Sequence, residues 1–263
     1  MRTKLRIIGY PAATGALVIA LWYGLWHSLS ADKRFLLPLP HEILAALRDN
    51  FPLLSRAILN TAQAALLGFT LAVLASIACA VALSLSRLIR LSLYPYLMIL
   101  QMTPIIIMVP ILILWVGPGL PSVVMVTFLM CFFPLVVNAT QGLISADRGL
   151  VELFKLYGAT KAQTLWRLRL PGALPYFFTG LRIAAVLAPI GALVGDYTAG
   201  SSVRGAGGLG FQAVLFSSQG KYAALFATAG LTCLLGFLFV CAVLGLSWLC
   251  LHKWHDSYYH AEQ

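Results

Sequence analysis

Charge is what this chain has least of. Charged residues make up 10% of its 263 and hydrophobic residues 60%, whereas soluble globular domains carry about a quarter charged residues. With a mean hydropathy of +0.90, the composition excludes a water-soluble globular domain and implies an integral membrane protein. Carboxylates are the scarcest of all: eight Asp and Glu stand against 18 Lys and Arg, for a net charge of +10. The basic residues sit in short clusters between apolar runs, with no interleaved aromatics. They therefore read as the flanks of membrane spans and not as a nucleic-acid surface.

Other absences narrow the chemistry. No G-x-x-x-x-G-K-[ST] occurs, so the chain has no loop to cradle ATP. There is no C-x-x-C pair. Cys79, Cys131, Cys233, Cys241 and Cys250 all lie in apolar segments and read as small buried apolar residues. His252, His255 and His260 read as an interfacial anchor, so neither a metal nor another cofactor is expected. A membrane enzyme would need paired intramembrane aspartates, H-E-x-x-H, or a serine and a histidine in facing spans, and none is present. Gly205, Gly207 and Gly210 spell G-x-G-x-x-G, but without the strand and βαβ unit that give that motif meaning. Those glycines fit a tight re-entry of the chain.

What is present is a series of long apolar runs. Spans are predicted at about 8–29, 57–85, 93–116, 122–144, 175–198 and 222–251, each near or above the roughly 20 residues a bilayer requires. The expected fold is thus all-α, a polytopic membrane protein of six transmembrane helices. Its organisation divides into an N-terminal anchor helix (1–30), an extracytoplasmic segment (31–56) with a short amphipathic helix from His41 to Arg48, a transmembrane domain (57–251) and a tail (252–263). The connections at 86–90, 117–121 and 199–221 read as hairpins, the last glycine-rich. With the amino terminus inside, eleven Lys and Arg fall on the cytoplasmic side and six outside. The positive-inside rule then places both termini in the cytoplasm.

One polar, basic stretch interrupts the apolar runs, from Asp147 to Pro171. Leu150, Leu153, Phe154 and Tyr157 recur at helical spacing, leaving Glu152, Lys155 and Lys161 to meet water or a partner. Gly158 can take a backbone conformation closed to other residues. Thr160 and Gln163 form a T-x-x-Q capping pattern that starts a second helix, and Pro171 is expected to end it. Two helices meeting at an elbow outside the bilayer make a docking surface.

At these residues the chain resembles the membrane permease subunit of a type I ABC importer, whose cytoplasmic loop carries Glu-Ala-Ala, three residues, Gly, nine residues, Ile-x-Leu-Pro. Glu152, Gly158, Leu170 and Pro171 match, and Leu168 replaces the isoleucine. Leu153 and Phe154 replace the alanines. The resemblance continues through Gly172-Ala173-Leu174-Pro175 and Thr179-Gly180-Leu181-Arg182 to Gly207-Gly208-Leu209-Gly210-Phe211. Within the family the pattern is similar to the branch for nitrate, sulfonates, taurine and pyrimidine precursors of thiamine.

The resemblance implies a type I importer permease in a bacterial cytoplasmic (inner) membrane, working as a homodimer with two copies of a separate ATPase subunit that binds the ATP. An extracytoplasmic solute-binding protein would deliver a small organic or oxyanion solute. It also implies that Glu152, Gly158, Ala159, Thr160, Lys161, Leu170 and Pro171 couple to the ATPase. A secondary transporter or channel, driven by an ion gradient, is the alternative. Trp22, Trp115 and Tyr197 would suit a heterocyclic solute, and Arg204 a sulfonate.

Asp196 is the only acidic residue inside a predicted span, where it needs water or a partner. It reads either as part of a translocation path or outer gate with Gly195, Gly200, Gly207, Gly208 and Gly210, or as a carboxylate wetted at the membrane surface. Gly191 and Gly195 form a small-x-x-x-small face for close helix packing. Arg182 can snorkel to headgroups in a structural or coupling role.

Overall fold

The computed structural model describes residues 2–199 and 207–251, with side chains described within 9–250. Gly200, Arg204, Gly205, His252, His255 and His260, all named above, lie outside the described residues. Every element among the described residues is helical: α1 (Arg2–Ser28), α2 (Pro40–Asp49), α3 (Phe51–Leu85), α4 (Arg87–Met102), α5 (Ile105–Val116), α6 (Leu120–Ile144), α7 (Arg148–Leu156), α8 (Lys161–Thr164), α9 (Leu170–Ala199), α10 (Leu209–Ser218) and α11 (Tyr222–Leu251).

Four helical rods are long and apolar enough to cross a membrane: α3, α6, the continuous stretch Lys161–Ala199, and α11. The pair α4–α5 would make a fifth if its two arms are one span. Here the sequence expectation of one unbroken helix from Leu93 to Val116 is corrected, because the arms bend by 101°. The break falls at Thr103 and Pro104, both with extended backbone. Proline offers no N–H to the preceding turn, and its ring pushes the residue before it out of the helical region.

The core is built from α3, α6 and α9. Along α3, Ala57, Thr61, Ala65, Gly68, Ala72, Ser76 and Ala80 are all buried at three- or four-residue spacing, a stripe of small side chains that lets neighbouring backbones approach. A Cβ added at Gly191 would meet Thr127 Cα at 2.9 Å, and one at Gly195 would meet Val123 Cα at 2.9 Å. The expected packing face is therefore real, and it is turned toward α6. Leucines on the opposite side of α3, such as Leu59, Leu66 and Leu74, are exposed, as befits a helix whose outer surface meets lipid. The same reasoning corrects the cysteines. Cys131 is buried, but Cys233, Cys241 and Cys250 on α11 are exposed, since an apolar group facing lipid needs no protein cover.

Two further expectations fail. Pro171 does not end the second helix of the polar stretch: the chain continues as one 39-residue rod from Lys161 to Ala199. A π-helical turn at Leu165–Arg169 widens the hydrogen-bond register, with the Leu170 N–H donating to the Leu165 carbonyl, and so carries the helix past a residue that lacks a donor. The glycine-rich connection 199–221 is not a simple hairpin either, because it contains α10. Leu209 and Phe216 bury that short helix against Leu54 and Ala57 of α3 and Ala224 and Ala227 of α11.

The amino-terminal helices attach at the same end as α10. Trp22 donates its indole N–H to the Pro38 carbonyl at 3.1 Å and packs edge-on against Phe226 at 5.7 Å. The expected amphipathic helix is α2, with Pro40 in its first turn and the Glu42 carboxylate accepting the Leu39 N–H at 2.7 Å.

Candidate functional site

Three features gather the chemistry. The first is the elbow between α6 and α9. Asp147 accepts the Leu150 N–H at 3.0 Å and starts α7. Gly158 then takes φ of +70°, and nothing lies within 4 Å of the place a Cβ would occupy, so the turn depends on its backbone and not on a tight fit. The predicted capping box is present: the Gln163 N–H donates to Thr160 Oγ1 at 3.2 Å, and the Thr160 N–H donates to Gln163 Oε1 at 2.8 Å. Leu165 and Ala173 anchor the far side of the elbow among Leu83, Val136 and Leu143.

The outer side of this elbow carries no cover. Leu153 is 45% exposed, Leu156 85% and Tyr157 83%, and Glu152, Thr160 and Lys161 are exposed with them. Phe154 is half-buried instead. Leu150, Leu153, Phe154 and Tyr157 share one face at three- and four-residue spacing, and Phe154 lies on its inward edge beside half-buried Val151. The single apolar face expected from the sequence is thus divided between the protein and the outside. Ala159 and Leu170 are half-buried and Pro171 is exposed; Glu152 to Lys161 lie at the elbow itself, and Leu170 and Pro171 follow it at the start of α9.

The second feature surrounds Asp196, which is 5% exposed. Thr61 of α3 donates its hydroxyl to Asp196 Oδ2 at 2.5 Å, and the same hydroxyl oxygen accepts the Leu209 N–H at 2.8 Å. The Gly210 backbone N–H also bonds the carboxylate, and Asn60 Nδ2 donates to the Gly207 carbonyl at 2.7 Å. Asp196 therefore sits at the amino-terminal end of α10, where unpaired N–H groups favour negative charge. Gly208 is tight against it: a Cβ there would fall on the carboxylate. Surface wetting is not what holds Asp196 in this structure; protein donors do. Gly195 faces α6, Gly208 and Gly210 meet at Asp196, and Gly207, with φ of +64°, packs against Phe211. Sequence reading missed Thr61 and Asn60, whose only signal was two polar residues in an apolar helix.

The third feature was missed too. At the α4–α5 break lies a cleft of about 600 Å³, lined by Trp115, Phe133, Met108 and Met130, with Gln101 and Thr103 as polar groups and no charged residue. Its signal was Thr103-Pro104 inside an apolar run, since irregular backbone at membrane depth occurs where it lines a cavity or is covered by protein. Elsewhere, Arg182 donates to Ser247 Oγ at 3.1 Å and joins α9 to α11.

Comparison with known proteins follows the same lines. Residues 65–257 match the family described as binding-protein-dependent transport system inner membrane component. The chain is 36% identical over 214 residues to the formylaminopyrimidine transport permease protein ThiX of Halalkalibacterium halodurans, covering 80% of this chain and 82% of that protein. It is 31% identical over 153 residues to the taurine transport system permease protein TauC of Escherichia coli, covering 58% and 53%. Its fold is similar to a chain of the inward-facing MetNI methionine ABC transporter, with a TM-score of 0.61 at 21% identity, covering 75% of this chain and 95% of that one.

Proposed function

We propose, for a chain that belongs to the family of binding-protein-dependent transport system inner membrane components, a specific division of labour between its two ends. As a member of that family it is the multi-pass inner-membrane permease of an ABC importer for small organic solutes. It is not itself an ATPase, and it works with an ATPase subunit and a solute-binding protein.

The observation that carries the proposal is the elbow: a left-handed glycine, a closed capping box and an uncovered apolar edge at Leu153, Leu156 and Tyr157. In this reading Glu152, Gly158, Ala159, Thr160 and Lys161 seat in the ATPase, and Leu170 and Pro171 pass the motion into the 39-residue rod. A rod of that length supports such transmission, since rotation at one end moves Asp196 at the other. One chain carries one such elbow, so the working unit is a homodimer with two ATPases. Six spans with both termini in the cytoplasm complete the arrangement, α1 being the sixth.

At the far end, Asp196 with Gly195, Gly200, Gly207, Gly208 and Gly210 forms the outer gate, held shut by the Thr61 bond. The cleft at the α4–α5 break forms part of the path. Its aromatic and thioether lining, free of charge, favours a neutral ring such as the solute named for ThiX over the sulfonate named for TauC. Uptake into proteoliposomes holding the permease, its ATPase and the binding protein tests this. ATP-dependent uptake of a pyrimidine, with taurine excluded, is expected; taurine uptake at equal rate would overturn the solute assignment, and uptake without ATP would overturn the coupling.

A further inference from the structure

A second cleft, of about 360 Å³, opens between the α3–α4 turn and the elbow. It is lined by five cations, Arg87, Arg90, Lys155, Lys161 and Arg169, and no carboxylate lines it. Like charges gathered this closely repel one another unless an anion sits among them. The acids nearest in sequence do not serve: the Asp147 carboxylate caps α7, and Glu152 is not part of the lining.

Arg169 offers such an anion an unused donor. It lies in the π-helical turn, and its Nη1 donates to the Ser84 carbonyl at 3.2 Å, which fixes the guanidinium against the end of α3. Its Nε is buried and has no partner. A buried donor of a charged group left unpaired is unfavourable, and the planar guanidinium is shaped to give two parallel bonds to a phosphate. Position supports the same ligand. Leu85 ends α3, Ile144 ends α6 and Leu165 lies near the start of the long rod, and all three line the cleft. The cleft is therefore level with the ends of three spans, where lipid headgroups lie.

We propose that this cleft binds a phosphate-bearing anion, either the headgroup of an anionic lipid or a free phosphate, which bridges the α3–α4 turn to the elbow and neutralises the cations there. The site goes beyond the coupling role proposed for the elbow, with which it shares Ala159 and Lys161, and its test reads binding and not transport.

Native mass spectrometry of the purified permease–ATPase complex provides that test, after delipidation and titration with dioctanoyl phosphatidylglycerol, phosphate-free dioctanoylglycerol, or inorganic phosphate. The informative variant is Arg90→Gln with Lys155→Gln, since neither side chain makes a hydrogen bond within the described chain and the Arg169–Ser84 bond is left intact. With a lipid source, phosphatidylglycerol binds saturably, at least about tenfold more tightly than dioctanoylglycerol, and the variant loses about that factor. With a free source, inorganic phosphate binds saturably to the unaltered complex, weakens in the variant, and the two lipids do not differ. The proposal is overturned if neither phosphate compound binds in preference to dioctanoylglycerol, or if the variant binds as the unaltered complex does. A carboxylate of the ATPase occupying the cleft would give the first of these results.

Discussion

The hydroxyl of Thr61 on α3 donates to the carboxylate of Asp196 on α9 across 135 residues of sequence, at 2.5 Å. That one hydroxyl links three elements, because its oxygen also accepts the N–H of Leu209 at the start of α10. A threonine in an apolar helix would otherwise bond its own preceding turn. Here it serves as the relay between a buried acid and a helix terminus.

Removing the relay should loosen the far end of the rod. Thr61→Val keeps the shape but leaves the Leu209 N–H without an acceptor and takes one donor from Asp196, a loss of about 1–3 kcal/mol for such a buried group. Thr61→Ser should behave nearly as the natural residue. Thermal unfolding of the purified complex distinguishes them, and equal midpoints for valine and threonine would sink the relay.

Charge at position 196 is expected to matter for transport more than for assembly. Asp196→Asn preserves size and hydrogen-bonding capacity while removing the charge. Uptake should change, with basal ATP hydrolysis and complex assembly retained. Unaltered uptake kinetics in both Asp196→Asn and Asp196→Ala would remove the carboxylate from the gate.

Gly208 should be intolerant of any side chain. A methyl group there lands on the Asp196 carboxylate, so Gly208→Ala must displace it, at about 1–3 kcal/mol for an overpacked site. Gly230→Ala is the control, since nothing lies within 4 Å of its added Cβ and alanine suits a helix interior better than glycine. Comparable unfolding for the two variants would contradict the observed packing.

At the elbow, Gly158→Pro is incompatible with φ of +70° because proline is held near about −65°. Lys161→Asp reverses a charge on the exposed edge. Both should reduce solute-stimulated ATP hydrolysis and retention of the ATPase while the permease stays folded. Normal stimulation in both would reduce the elbow to a connector.

Sidedness is open to direct measurement. In a cysteine-free background, Thr160→Cys should react with an impermeant maleimide only from the cytoplasmic face. Labelling from outside alone would reverse the topology and end the coupling proposal with it.

The elbow was largely legible in the sequence because its parts are local. A capping box needs residues three apart, Thr160 and Gln163, and a left-handed turn needs one glycine, Gly158; both are set by neighbours along the chain. The extent of α11 was legible for a similar reason, since apolar length alone defines a span. The passage of the helix through Pro171 was not. Proline signals a stop, but the π-helical turn before it lets packing of Leu165 and Ala173 against α3 and α6 override that local preference.

Composition and charge by themselves determined that this is a membrane protein, that it carries no ATP-binding loop, and where its polar elbow lies. Only the tertiary structure decided what Asp196 meets, because Thr61 reaches it from α3 and Gly208 and Gly210 from the start of α10, and no spacing rule joins them. The same holds for the basic cleft. Arg87 and Arg90 read as one hairpin's flank and Lys155, Lys161 and Arg169 as another's, until the ends of α3, α6 and the long rod bring five cations around one space.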